Sequence, residues 1–165
     1  MKDIIEKEAE KILLEGYEKY YRLAYSYMGN EADALDAVQE SALKVIRECG
    51  KVKEKSYLGT WIYRIVINTC LDMLRKRKKE TIGIDKADPK VQGDYNLDDP
   101  MELLQSLEEP DKTIVKLKIF EELKLSEIGE ILNMNVNTVK ARLYRAFKKL
   151  RVELEFHNAD GKERR

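Results

Sequence analysis

The hydrophobic and polar positions of this sequence follow a helical period over much of its length, and they predict three helices in the N-terminal half. The first carries a stripe that we interpret as core rather than as a stacking surface for bases: Tyr17, Tyr20, Tyr21, Ala24, Tyr25 and Met28. Gly29 and Asn30 are expected to end this helix and to cap the next. The second helix is expected to bury Leu35, Val38, Ala42 and Val45. The third runs to about residue 78, with the inward face Leu58, Trp61, Ile62, Ile65 and Thr69.

The C-terminal half shows the pattern of a helix-turn-helix unit. Ser126 is a candidate cap for a short helix over 127–132, and Asn133 suits the left-handed residue that ends such a helix. Asn135 can cap a longer basic helix that runs to about Leu154. The inward face of this helix is Val139, Leu143, Ala146 and Leu150. A short helix, a tight turn and a longer basic helix are typical of units that read duplex DNA.

A polar segment without a helical pattern separates the two halves. From residue 80 to Pro100 it holds two of the three prolines, two of the eight glycines and few large apolar residues. Such a stretch cannot bury enough surface to offset the entropy lost on ordering. After it, Pro100 and Pro110 each suit the first turn of a helix, and the second of these helices continues to about Leu123.

The predicted fold class is therefore all-α, with two small helical domains over 1–79 and 100–165. They are joined by an acidic flexible linker over 80–99, and the second domain ends in a polar tail. No run of about 18 apolar residues occurs, which excludes a membrane-spanning helix in this sequence. Two separated cysteines and one histidine exclude a disulfide scaffold and a four-ligand zinc site, and we expect no metal and no cofactor.

The charges of this chain cancel in total but not locally. With 31 basic and 31 acidic residues the formal net charge is zero, which by itself argues against a nucleic-acid partner. Yet residues 1–43 carry a net charge of −5, residues 44–79 carry +8, residues 80–111 carry −8 and residues 112–151 carry +6. The two basic blocks coincide with the third helix and with the helix-turn-helix unit, so a phosphate-containing partner is favoured for both.

Three groups of residues are candidates for function. Asp36, Gln39 and Glu40 lie off the buried stripe of the second helix, where composition alone favours a solvated face. On the third helix, one face and the basic end carry Arg64, Asn68, Asp72, Arg75 and Arg77, preceded by a loop whose Tyr57 is either a base-stacking residue or a surface-filling aromatic. The outward face of the last helix carries Asn137, Thr138, Lys140, Ala141, Tyr144, Arg145 and Lys148, which suits contacts with base edges and phosphates.

Three stretches together resemble the extracytoplasmic-function (group 4) sigma factors of bacterial RNA polymerase. They are DALDAVQESALKVIR, SYLGTWIYRIVINTCLDMLRKRKK and SEIGEILNMNVNTVKARLYRAFKKLR, and they follow one another at the family's spacing. The resemblance implies a sigma-2 domain over 1–79 and a sigma-4 domain in the C-terminal half. It implies an alternative sigma factor, not an enzyme, that binds core polymerase and directs initiation at particular promoters.

The resemblance also implies roles for the candidate residues. Asp36, Gln39 and Glu40 match the element that docks on the β′ clamp helices, which replaces our preference for a solvated face. Tyr57, Trp61, Arg64, Asn68, Asp72 and Arg75 match the loop and helix that capture and melt the −10 element. Thr138, Lys140, Arg142, Tyr144 and Arg145 match the helix that reads the −35 element.

The expected partners are core polymerase, through the β′ clamp helices and the β flap, promoter DNA, and a cognate anti-sigma factor of the kind that is often membrane-anchored. The expected location is the cytoplasm. Two other classes of function stay open on the residues alone. One is a stand-alone helix-turn-helix regulator, which would need a dimer to read two half-sites. The other is a helical scaffold whose basic faces only keep it soluble.

Overall fold

The computed structural model describes residues 2–84 and 100–163, and every described element is helical. The chain divides into two compact units at residues 87 and 88. In the first unit the helices are α1 (Lys2–Glu15), α2 (Tyr17–Met28), α3 (Glu31–Glu48) and α4 (Leu58–Ile84). In the second unit they are α5 (Pro100–Leu103), α6 (Asp111–Ile119), α7 (Leu125–Leu132) and α8 (Val136–Glu163).

In the first unit α2, α3 and α4 pack against one another around a small-residue core. Ala24, Ala34 and Ala37 are fully buried, so the helices can approach closely at these positions. The junction between α2 and α3 has the predicted helix end and the predicted helix cap. Gly29 adopts a left-handed φ of 80°, and the Asn30 side chain accepts a hydrogen bond of 2.9 Å from the Asp33 amide.

The predicted tyrosine stripe is only partly core. Tyr20, Ala24 and Met28 are buried, whereas Tyr17 is 46% exposed and Tyr25 is 43% exposed. The reason is that α3 and α4 cover an arc of α2 that is rotated from the predicted face, so that the unpredicted residues Leu23 and Tyr27 are buried instead. Desolvation raises the pKa of the Tyr21 phenol, and the nearby Glu31, Tyr25 and Tyr17 raise it further.

The predicted inward faces of α3 and α4 require a similar correction. On α3 the buried residues are Ala34, Ala37, Val38, Ser41 and Val45, and the predicted Leu35 and Ala42 are half-buried. On α4 the residues Leu58, Ile62 and Thr69 are buried as predicted, while Trp61 and Ile65 are half-buried. Because α4 packs against both α2 and α3, its buried arc is wider than one stripe and includes Tyr63, Val66, Ile67 and Cys70.

Two stretches near the predicted boundaries are helical. Helix α1, for which the sequence pattern gave no element, buries Ile5 and Ala9 and packs against α3. Helix α4 continues to Ile84, so residues 80–84 of the predicted linker are helical. The rest of that linker, 85–99, lies outside the described residues.

In the second unit α6 and α7 both pack on α8. The predicted inward face of α8 is confirmed, because Val139, Leu143, Ala146 and Leu150 are all buried. Helix α8 also extends to Glu163, beyond the predicted end near residue 154, so the first part of the predicted polar tail is helical. Helix α6 is shorter than predicted and ends at Ile119.

The turn between α7 and α8 is built much as predicted. Asn133 is left-handed, with φ 55° and ψ 49°, and the Asn135 side chain accepts a 2.8 Å hydrogen bond from the Asn137 amide. A Cβ at Gly129 would lie 2.8 Å from the Met134 carbonyl oxygen, so it is the backbone of the turn that requires glycine here. The predicted cap at Ser126 is wrong, since α7 begins at Leu125.

Candidate functional site

The polar face of α4 is organised by contacts within its own domain. Arg64 Nη1 donates a 2.7 Å hydrogen bond to the phenol oxygen of Tyr57, which leaves both side chains half-buried. Farther along the helix, Arg75 Nη2 lies 3.4 Å from Asp72 Oδ1, and both of these side chains are at least half exposed. Asn68, between the two pairs, is exposed. The result is a polar track along α4 in which the direction of the Arg64 side chain is fixed by Tyr57.

Tyr57 is positioned by the turn that enters α4. It ends a short 3₁₀ segment, Lys55–Tyr57, directly before Leu58, which is fully buried and anchors the start of the helix. Lys55 Nζ lies 3.5 Å from Glu8 Oε2, so this turn is also joined to α1. The half-buried Trp61 is one turn from Tyr57 on α4. The entry to α4 therefore presents two aromatic rings near the polar track.

Arg77 differs from the other basic residues at the end of α4. Its guanidinium donates to the carboxylate of Asp33 and, at 3.3 Å, to the carbonyl of Met28, so it joins α4 to the turn between α2 and α3. Lys76, Lys78 and the flanking Arg75 are exposed. We predicted from the sequence that Arg77 contacts DNA, but the structure gives this side chain partners in its own domain.

A mixed acidic and apolar face lies on α3. Asp36 and Gln39 are exposed, and Glu40 Oε1 lies 3.5 Å from Lys44 Nζ. The same face carries Leu43, which is 68% exposed, one turn beyond Gln39. Leu43 and its exposed neighbour Ile46 were not among the predicted residues. The signal was available, because Leu43 and Ile46 follow Asp36 by seven and ten residues, which is the spacing of one helix face.

The outward face of α8 is exposed from Asn137 to Lys148. The exposed residues on it are Asn137, Thr138, Lys140, Ala141, Tyr144, Arg145 and Lys148. Arg142 is the exception among the predicted residues, because it is half-buried and its Nη1 lies 3.1 Å from Asp111 Oδ1 at the start of α6. Asp111 was not among the predicted residues, and no spacing rule connects it with a helix thirty residues later.

The described residues 2–84 and 100–163 hold no cluster of three His, Cys, Asp or Glu side chains that could bind a metal ion. Among those residues there is also no helix long and apolar enough to cross a membrane. Cys49 and Cys70 are both buried.

Comparison with known proteins gives a consistent result for both units. Residues 15–80 match sigma-70 region 2, and residues 101–150 match sigma-70 region 4. The chain is 42% identical over 139 residues to the RNA polymerase sigma factor SigV of Bacillus subtilis, covering 82% of this chain and 84% of that protein. It is 33% identical over 156 residues to the ECF RNA polymerase sigma factor SigW of the same organism, covering 83% of each.

A solved structure supports the fold. The sigma factor RpoE of Bartonella quintana, crystallised with the anti-sigma factor NepR, aligns with a TM-score of 0.72 at 22% identity, covering 94% of this chain and 98% of that one. The family matches together span well over half of the sequence. The chain therefore belongs to the extracytoplasmic-function sigma factors of the sigma-70 family, the subunits that bind bacterial core RNA polymerase and direct transcription initiation at specific promoters.

Proposed function

We propose that the outward face of α8 reads the −35 element as duplex DNA. The observation that carries this proposal is the open face itself, on which Thr138, Lys140 and Arg145 are exposed while the opposite face of the helix is fully buried. Residues near the start of a recognition helix reach base edges, and cations farther along meet phosphates. Asn137, Thr138, Lys140 and Ala141 occupy the first position. Tyr144 and Arg145, one turn later, extend this base-reading group, and Lys148 occupies the second position, while Arg142 is half-buried beside Asp111.

The domain over 1–79 opens and holds the −10 element in this proposal. Tyr57 and Trp61 would stack with unpaired bases, while Arg64, Asn68, Asp72, Arg75 and the basic end of α4 follow the backbone. Stacking contributes about 1–3 kcal/mol per base, which offsets much of the stacking and pairing lost when the duplex opens. Arg77 acts indirectly, by fixing the end of α4 against Asp33 and Met28.

Core polymerase is bound through the face of α3. Asp36, Gln39 and Glu40 suit the basic and polar side chains of the β′ clamp helices, and the exposed Leu43 and Ile46 add apolar area beside them. The second domain, over 100–165, would contact the β flap. The acidic linker over 80–99 stays a prediction, since 85–99 lie outside the described residues.

We also propose that this chain is regulated in the cytoplasm by an anti-sigma factor. A membrane-anchored partner of this kind would hold the chain at the membrane. The Bartonella quintana relative was solved with such a partner. Leu43 is 68% exposed on the proposed polymerase-binding face, and an inhibitor that covers this face would exclude polymerase.

One experiment tests the core of the proposal. The full chain is added to purified bacterial core polymerase, and run-off transcription is measured on a promoter library. Asp36→Arg should weaken binding to core polymerase through charge reversal at the interface. Glu10→Arg, on the exposed side of α1, is the matched control and should leave core binding unchanged. Transcription that is absent for the unmodified chain, or equal for both variants, would contradict the proposal.

The same library tests the −35 assignment. If Arg145 contacts a base edge, Arg145→Ala should weaken the binding free energy at the −35 element by about 1–3 kcal/mol. It should also relax the sequence preference there. Arg151→Ala removes the same charge from an exposed position later in α8 and should keep the sequence preference. A preference unchanged by Arg145→Ala would remove this residue from the readout.

A further inference from the structure

One carboxylate faces two arginines of the recognition helix. Asp111 Oδ1 lies 3.1 Å from Arg142 Nη1, and Asp111 Oδ2 lies 4.0 Å from Arg145 Nη2. Arg142 and Arg145 are three residues apart, so they lie on neighbouring turns of α8 on the same side. The Asp111 side chain is only 20% exposed, whereas the Arg145 side chain is 66% exposed.

The two arginines are held unequally. The contact to Arg142 has hydrogen-bond geometry and joins two side chains that are each about one-third exposed or less. The contact to Arg145 is at the limit of an ion pair, and most of that side chain remains in solvent. A charge-assisted hydrogen bond fixes the direction of a guanidinium, whereas a 4 Å contact supplies attraction without a fixed geometry. The Arg142 guanidinium is thus held against Asp111 at the start of α6, whereas that of Arg145 stays available for another partner.

Asp111 also has a local structural role within its own helix. As the first residue of α6, its negative charge is favoured by the helix dipole. That effect needs only an acidic residue in the first turn. It does not require the side chain to be directed at α8, and it does not explain why both carboxylate oxygens face arginines.

We infer that Asp111 is a specificity-determining positioning residue, which holds Arg142 away from the DNA backbone and leaves Arg145 available for the −35 bases. This inference rests on the proposed reading of the −35 element by α8. Cations that reach phosphates raise affinity for every sequence alike. By retaining one cation and leaving the other available, Asp111 lowers binding to unrelated DNA while it preserves binding to the promoter.

The test compares Asp111→Asn with Glu108→Gln in the reconstituted holoenzyme. Both changes remove one negative charge without changing side-chain size, and Glu108 is an exposed residue three positions earlier. Promoter fragments are competed with fragments whose −35 element is scrambled, over a series of salt concentrations. The contribution of core polymerase is the same for every variant, so differences between variants report on this chain.

Asp111→Asn should bind scrambled fragments about two- to fivefold more tightly, the value expected for releasing one partly exposed ion pair. The slope of log affinity against log salt should steepen by about 0.9, as expected for one more phosphate contact. The ratio of promoter to scrambled affinity should fall. Destabilisation of the domain would lower both affinities, so a rise on scrambled DNA identifies the positioning role.

A double-mutant cycle identifies the partner. In an Arg142→Gln background, Asp111→Asn should no longer change the salt slope, because the released cation is absent. Equal behaviour of Asp111→Asn and Glu108→Gln, with the unmodified chain still preferring its −35 element, would overturn the inference alone. Absence of any −35 preference in the unmodified chain would instead overturn the proposed function.

Discussion

The polar face of α4 and the outward face of α8 carry similar residues but hold them differently. On α4 the arginines are engaged inside the first domain, Arg64 with Tyr57, Arg75 with Asp72 and Arg77 with Asp33. On α8 most polar side chains are exposed, and among the described residues the ion pairs of this face with another helix are those of Arg142 and Arg145 with Asp111. On the first face Arg64 is fixed against Tyr57 before any partner binds, whereas the second face keeps most of its donors in solvent.

This difference suits two kinds of nucleic acid. A strand that leaves the duplex can restack at once, so a surface that captures it benefits from groups already in place, with less ordering entropy to lose on binding. A duplex presents a regular groove, and long exposed side chains can adjust to its base edges and phosphates. In the proposed function, preorganisation on α4 would serve strand opening and freedom on α8 would serve readout.

Among the substitutions that test this comparison, replacement of Tyr57 should have the largest effect. Tyr57→Ala removes a stacking ring and the acceptor of Arg64, and we expect a loss of about 1–3 kcal/mol in open-complex stability, from the stacking of one base. Permanganate footprinting of the −10 region measures it. Tyr57→Phe keeps the ring and should retain most of the opening. If Tyr57→Phe fails as completely as Tyr57→Ala, the hydrogen bond to Arg64 and not the ring is what opens DNA.

Periodicity predicted the helices well where one side packs and the other is solvated. Helix α8 is such a case, and its inward face was predicted completely. Helix α4 is covered on two sides by α2 and α3, so the stripe rule missed Tyr63 and Val66. The left-handed residues that end helices were equally predictable, because Gly29 and Asn133 act through their own backbone angles.

The candidate site could be predicted less completely, for a physical reason. Position on a helix face follows from spacing, so the exposure of Asn68, Tyr144 and Lys148 was predictable. Contacts between helices depend on how the domain closes, and no local rule gives them. That is why the contacts of Arg77 with Asp33 and of Arg142 with Asp111 were not predicted, since each joins residues at least thirty positions apart.

Arg77 offers a second, smaller test of the comparison. Arg77→Ala should lower the free energy of unfolding of the first domain by about 0.5–1.5 kcal/mol, as expected for losing its partly exposed hydrogen bonds. The chain has one tryptophan, Trp61, so its fluorescence during urea unfolding reports on that domain alone. The matched control is Lys78→Ala, an exposed neighbour that removes the same charge. Equal stability of the two variants, with weaker binding of DNA by Arg77→Ala than by the unmodified chain, would return Arg77 to the nucleic-acid surface.

Lys148 should give the smallest effect, and its form matters more than its size. As an exposed cation late in α8, it is placed for a phosphate and not for a base edge. Lys148→Gln should therefore weaken promoter and scrambled fragments by the same factor and reduce the salt slope by about 0.9. Lys7→Gln on α1 removes the same charge and should change neither quantity. A loss confined to fragments with an intact −35 element would mean that the readout extends a full turn beyond Tyr144, and the open face of α8 would then be a longer reading surface than proposed.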